Sequence, residues 1–141
     1  IIVGEGNVKS ELLKKAKHLN IENKIKFLGT ILNPYGLIAG SDYFILPSRW
    51  EGLPNCVLES LALGTPVLST KQIYSLNDFK ENITNKSIIL FNSINELSKK
   101  IHNLKKRKDY KNPKLRKSLL VNNISPINFN KKINKIILKI A

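Results

Sequence analysis

Short apolar runs alternate along the chain with amphipathic stretches. Ile1-Ile2-Val3 has the pattern of a buried strand and stops at the turn Gly4-Glu5-Gly6. Val8, Leu12, Ala16 and Leu19 then recur at helical spacing, with Asn7 as the expected N-cap and Asn20 at the C-terminal end. Ile25-Lys26-Phe27-Leu28 predicts a second strand, halted by Gly29. Asn33-Pro34 opens a short helix, because asparagine caps and proline tolerates a position where no N–H is needed. Tyr43-Phe44-Ile45-Leu46 is continuously apolar, the pattern of a strand buried on both faces. A loop with Pro47, Gly52 and Pro54 leads into a helix carrying Val57, Leu58, Leu61 and Leu63, closed by Gly64. Val67-Leu68 and Ile88-Ile89-Leu90-Phe91 predict two more strands, with one helical turn near Asp78-Phe79 between them. Ser93 and Glu96 make a capping box for a helix that sets Ile94, Leu97, Ile101 and Leu104 on one face.

Strand and helix in alternation imply an α/β fold: a Rossmann-like, doubly wound parallel sheet with helices on both faces. Ligands of such sheets bind beyond the carboxyl ends of the strands. Here that edge collects the turn from Gly4 to Asn7, Gly29-Thr30, the loop from Pro47 to Asn55, and Ser69-Thr70. The pattern holds for residues 1–104, read as one unit incomplete at its N-terminus. Residues 105–141 read as a basic helical extension, with helices expected at 114–121 and from Pro126 onward. The chain has 141 residues, no methionine and an apolar opening triplet without a basic leader. It is therefore expected to be a segment of a longer protein or a truncated gene product, without a secretory signal.

Charge changes this picture in one place. The net charge is +14, yet residues 1–98 hold ten basic and nine acidic residues, while residues 99–141 hold fourteen basic residues and only Asp109. Basic side chains number 21 Lys and 3 Arg, a poor set for reading bases, so no specific nucleic-acid partner is expected. A solvated face and an anionic membrane surface remain as readings of the basic end. No apolar run approaches the ~18 residues of a membrane span. A lone Cys56 excludes an internal disulfide and suits a reducing, cytoplasmic setting.

Most familiar chemistries are absent. Gly4-Glu5-Gly6-Asn7-Val8-Lys9 starts like a dinucleotide fingerprint, but Lys9 stands where the third glycine belongs. His18 and His102 are isolated and Cys56 has no partner at metal-ligand spacing, so no metal is expected. Ser48, Ser60 and Ser69 lack a nucleophile-elbow context. The informative segment runs from Pro47 to Glu59. It places two carboxylates eight residues apart, Glu51 in a loop and Glu59 one turn inside the next helix, with Gly52 allowing close backbone approach between them. Amides at that helix start suit a phosphate. Glu59 suits the paired hydroxyls of a ribose. Glu51 suits sugar hydroxyls or positive charge growing at an anomeric carbon. Two surface carboxylates favoured by the helix dipole would read the same way.

Glu51-Gly52-Leu53-Pro54, Leu58-Glu59, Leu61-Ala62, Gly64 and Pro66-Val67 together resemble the Glu-x7-Glu region of family 4 glycosyltransferases, retaining nucleotide-sugar enzymes of the GT-B fold. Ile2-Val3-Gly4-Glu5-Gly6, Phe27-Leu28-Gly29 and Ser41-Asp42 with Leu46-Pro47-Ser48 are similar to the same family in the same order. The resemblance covers residues 1–104 and implies the C-terminal, donor-binding domain of such an enzyme. It implies that Glu51 contacts the donor hexose as the catalytic carboxylate and that Glu59 holds the ribose. Amides of Gly52, Leu53, Asn55 and Cys56 would hold sugar and diphosphate. Gly4 and Gly6 would form the pocket floor, and Thr30 and Ile31 would lie near the base. No cofactor or metal is implied, because protein dipoles and cations take that role at the diphosphate.

Two features depart from the family. Its basic pair for the diphosphate lies upstream of the first strand here. Its Gly-Gly turn after Ser69-Thr70 is replaced by Lys71-Gln72-Ile73-Tyr74. The resemblance implies transfer of a hexose, with retention, to a glycan or lipid-linked acceptor. The partners would be a nucleotide sugar, an N-terminal acceptor domain missing from this chain, and an anionic membrane surface. The chain alone is expected to be inactive, cytoplasmic and peripheral on the inner face of the membrane. A non-catalytic donor-binding subunit or decayed remnant, needing a separate acceptor-domain chain, is the alternative.

Overall fold

The computed structural model describes residues 1–52, 54–73, 76 and 87–104. They fall in two compact units, Ile1–Pro34 and the chain from Tyr35 onward. The expected helices of residues 105–141 and the turn near Asp78-Phe79 lie outside the described residues.

In the first unit, Ile2 pairs in parallel with Phe27. The Ile2 N–H donates to Lys26 O at 2.8 Å, Leu28 N–H to Ile2 O at 3.0 Å, and Gly4 N–H to Gly29 O at 2.7 Å. The two expected strands thus meet, but as one isolated bridge rather than full strands. The expected burial also fails: Ile1, Ile2 and Val3 are 67%, 41% and 44% exposed. A strand pattern gives periodicity but not the layer that covers it.

Helix α1 spans Lys9–His18, and Ala16 is its buried residue. Val8 rather than Asn7 stands at the N-cap, with no side-chain cap. The first helical turn forms one residue later than the asparagine would require. At the other end Asn20 takes φ 53°. Asn20 N–H donates to Lys17 O and Ile21 N–H to Ala16 O, both at 3.0 Å, closing a Schellman motif.

The second unit is built on a parallel sheet in the order β1-β2-β3, with β1 Phe44–Leu46, β2 Val67–Thr70 and β3 Ile88–Phe91. Phe44 is in register with Val67, and Val67 with Ile88. Helix α2 (Tyr35–Ala39) lies against α3 (Asn55–Ala62), and α3 lies against β1 and β2. Val57 and Leu61 from α3 join Val67, Ile73 and Leu76 in the core, with Phe44, Leu46 and Ile88 packed against it. Both Val67 and Leu68 are fully buried, so β2 is the strand covered on two faces.

β1 is not, contrary to its continuous apolar pattern. Phe44 and Leu46 face the core, and Ile45, alternating with them, is 42% exposed.

Gly64, at φ 75°, ends α3 in a second Schellman motif, with Gly64 N–H to Leu61 O at 3.0 Å and Thr65 N–H to Ser60 O at 2.8 Å. The buried hydroxyls here have partners. Ser60 donates to Thr65 O at 3.0 Å, and Thr65 donates to Ile38 O at 2.9 Å, tying the end of α3 to α2. Such bonds keep polar groups affordable inside a core.

The last described helix, α4, spans Ile94–Asn103. Ser93 caps it by accepting from Glu96 N–H at 3.2 Å. Glu96 reaches back to Asn92, taking its N–H at 2.8 Å and its side-chain amide at 3.0 Å, rather than the Ser93 N–H of a regular capping box. No residue of α4 is fully buried, and Ile94 and Ile101 are 68% and 44% exposed.

Candidate functional site

β1 delivers the chain at its carboxyl end into the loop from Pro47 to Pro54, and α3 carries it away. A hydrogen bond pins this loop to the sheet: Thr70, the last residue of β2, donates its Oγ1 hydroxyl to Ser48 O at 2.5 Å. The tie holds the loop over the carboxyl edge of the strands, where open α/β sheets bind ligands. Beyond Ser48 the side chains of Arg49, Trp50 and Glu51 are exposed. Pro54 is buried and occupies the N-cap of α3 without a side-chain cap. Having no polar side chain, proline offers the first-turn amides only its carbonyl. Val57 N–H bonds Pro54 O at 3.0 Å.

Asn55, exposed, and Cys56, half-buried, are the first two residues of α3. Burial pushes the Cys56 thiol above its ordinary pKa. The Val57 and Cys56 amides act the other way, while the Glu51 and Glu59 carboxylates both add to the rise. Along the chain the two acids stand on either side of the start of α3. Glu51 stands in the exposed loop before it and half-buried Glu59 in the second turn. Gly52 is exposed in the same loop, and Leu53 lies outside the described residues. A helix start bracketed by two acids can hold a diphosphate on its amides and hydroxyls on its carboxylates.

Gly4, Gly6, Thr30 and Ile31 belong to the first unit. The Gly4–Gly29 hydrogen bond brings the Gly4–Gly6 turn beside the Gly29-Thr30 corner. Gly29 has φ 67°, and a Cβ there would stand 2.6 Å from Glu5 Oε1, itself paired with Lys9 at 3.0 Å. Glu5 can swing aside, so it is the positive φ that favours glycine at this corner. Sequence reasoning missed the Thr70–Ser48 tie and the place of Cys56 between the acids. Nothing local marks a bond spanning 22 positions.

Among the described residues no group of three or more His, Cys, Asp or Glu is placed to hold a metal ion, and no helix is long and apolar enough to cross a membrane.

The sequence profile of the family described as glycosyl transferases group 1 matches residues 1–125. The chain belongs to that family. Among its relatives is an uncharacterized glycosyltransferase of Methanocaldococcus jannaschii, 43% identical over 70 residues, which is 50% of this chain and 17% of that protein. Another is the N-acetylgalactosamine-N,N'-diacetylbacillosaminyl-diphospho-undecaprenol 4-alpha-N-acetylgalactosaminyltransferase of Campylobacter jejuni, 43% identical over 70 residues, 50% of this chain and 19% of that one. The chain therefore matches about a fifth of the length of these curated relatives. Among solved structures, the apo form of the lipopolysaccharide outer core galactosyltransferase WaaB aligns with a TM-score of 0.71 at 18% identity, over 99% of this chain and 40% of that one. This likeness shows the fold: a Rossmann-like α/β layer, one half of a GT-B glycosyltransferase.

Proposed function

We propose that this group 1 glycosyltransferase chain is the donor-binding, C-terminal domain of a family 4, retaining enzyme, moving a hexose from a nucleotide sugar to a glycan or lipid-linked acceptor. The supporting observation is the pair of carboxylates, Glu51 and Glu59, on either side of the start of α3, which has no side-chain cap, at the carboxyl edge of the sheet. In this reading Glu59 accepts hydrogen bonds from the ribose hydroxyls, and the first amides of α3 take the diphosphate. Glu51 meets the hexose and stabilises positive charge as the anomeric bond breaks. The family resemblance, and not the arrangement of the two units, assigns Gly4, Gly6, Thr30 and Ile31 to the nucleotide end, and no metal is required. In this reading the acceptor is held mainly by the N-terminal half of a GT-B enzyme, and these 141 residues do not turn over without that half. The relatives' names put galactose and N-acetylgalactosamine first among donor sugars to test, and a diphospho-undecaprenol glycan among acceptors.

The test is calorimetry with UDP and UDP-sugars. A hydrogen bond to a charged group contributes about 1.5–3 kcal/mol, a factor of about ten to a hundred in affinity. Glu59→Ala should weaken UDP and UDP-sugar alike, whereas Glu51→Ala should weaken only the UDP-sugar. Unchanged affinity in both variants refutes the assignment.

The basic end extends the reading to a cytoplasmic enzyme held peripherally on an anionic membrane. Each Lys or Arg near such a surface adds about 1 kcal/mol, screened by salt. The chain should sediment with anionic vesicles, less so with neutral ones, and be released at high salt. Replacing Lys131, Lys132, Lys135 and Lys139 by Gln should weaken the binding, and equal sedimentation would assign these lysines to composition alone.

A further inference from the structure

Trp50 is the single tryptophan of the chain, and 83% of its surface is open to solvent. Scattered exposed apolar side chains are ordinary on proteins, and Leu32, at 102%, is one. The position of Trp50 sets it apart. It directly precedes Glu51, on the loop whose Ser48 carbonyl is held by Thr70. Its chain neighbours on either side, Arg49 and Glu51, are exposed as well. A protein partner or a lipid surface needs a contiguous apolar patch of several hundred square ångströms. Among its described residues this loop offers one large ring between a cation and a carboxylate. A pyranose ring fits that chemistry. Its C–H face is small, apolar and slightly positive, and so complements the negative face of an indole. Its rim hydroxyls can accept from a guanidinium and donate to a carboxylate.

We infer that Trp50 is a sugar-stacking residue whose indole lies against a pyranose beside Glu51. The inference rests on the donor-site reading. The pyranose is the donor hexose or the acceptor sugar, and one experiment separates the two. Because no other tryptophan is present, intrinsic emission reports on position 50 alone. The full chain is titrated with UDP, UDP-galactose, UDP-N-acetylgalactosamine, GDP-mannose and methyl galactopyranoside. Emission is followed, and saturation-transfer NMR detects binding independently.

A shift with a nucleotide sugar but not with UDP assigns the donor hexose, and a shift with the glycoside alone assigns the acceptor sugar. Trp50→Ala should weaken pyranose binding about two- to tenfold, the range for an aromatic contact, with UDP affinity and thermal midpoint unchanged. Trp50→Phe should recover part of the loss. A nucleotide sugar whose hexose protons receive saturation while emission stays fixed, with silent glycosides, overturns the inference. So does an equal loss for UDP accompanied by a lower midpoint. If nucleotides fail to bind but the glycoside shifts emission, the donor reading falls and the stacking role stands. If nothing binds, both fall.

Discussion

The Thr70–Ser48 hydrogen bond ties the site loop to the sheet, which makes Thr70→Val a sharp perturbation. Valine keeps the β-branched shape that suits a strand and removes only the donor. A neutral hydrogen bond contributes a net ~0.5–1.5 kcal/mol. Ser48 and Thr70 are both half-buried, so water can replace part of the lost bond. The loss should therefore sit in the lower half of that range, ~0.5–1 kcal/mol. With an urea m-value of about 2 kcal/mol/M, the unfolding midpoint should fall by roughly 0.25–0.5 M at unchanged m.

Glu51 lies three residues beyond the pinned carbonyl. The freed loop should therefore also lower UDP-sugar affinity by about two- to fivefold through the ordering it must then undergo on binding. UDP alone, held by α3 and Glu59, should change less. Thr70→Ser is the control, since it keeps the hydroxyl and removes a methyl group. If Thr70→Val matches Thr70→Ser in both midpoint and affinity, the bond does not hold the loop.

Two more outcomes follow from the electrostatics. Cys56 is the only thiol, and its raised pKa should make it slow to alkylate with iodoacetamide near neutral pH. Glu51→Gln and Glu59→Gln should each speed the reaction, because each removes a negative charge opposing the thiolate; unchanged rate–pH profiles would place the acids away from Cys56. At α4 the Asn92 amide and Lys100 hold the Glu96 carboxyl down at about 2, against an ordinary 4.5. A depressed folded-state pKa contributes stability above the unfolded value, lost as pH falls through the folded one. The helix should thus loosen between about pH 4.5 and about pH 2, as read by circular dichroism. Glu96→Gln should flatten that dependence, and an unaltered acid transition would assign it to other groups.

What the sequence determined by itself is what depends on neighbours a few positions apart. The order of strands and helices follows from hydrophobic period. Asn20 and Gly64 announce the ends of α1 and α3 because only a residue tolerant of positive φ closes a Schellman motif. Ser93 and Glu96 announce the start of α4 because a capping bond spans three residues. Glu51 and Glu59 were legible as a pair because loop and helix lie in one continuous segment.

Tertiary structure decided everything that depends on which layer covers which face. Residues 1–3 and 44–46 carry similar apolar patterns to Val67-Leu68, yet among the described residues only β2 has strands on both sides, and its Val67, Leu68 and Ser69 are buried. Asn7 looks like a cap, but the helix begins past it. Thr65 on Ile38 and Thr70 on Ser48 join residues 27 and 22 positions apart. Cys56 gains its raised pKa only because folding packs it among side chains and between two acids. Periodicity and turn chemistry act along the chain. Burial, long-range hydrogen bonds and the fields around a thiol arise across it, so only the folded arrangement sets them.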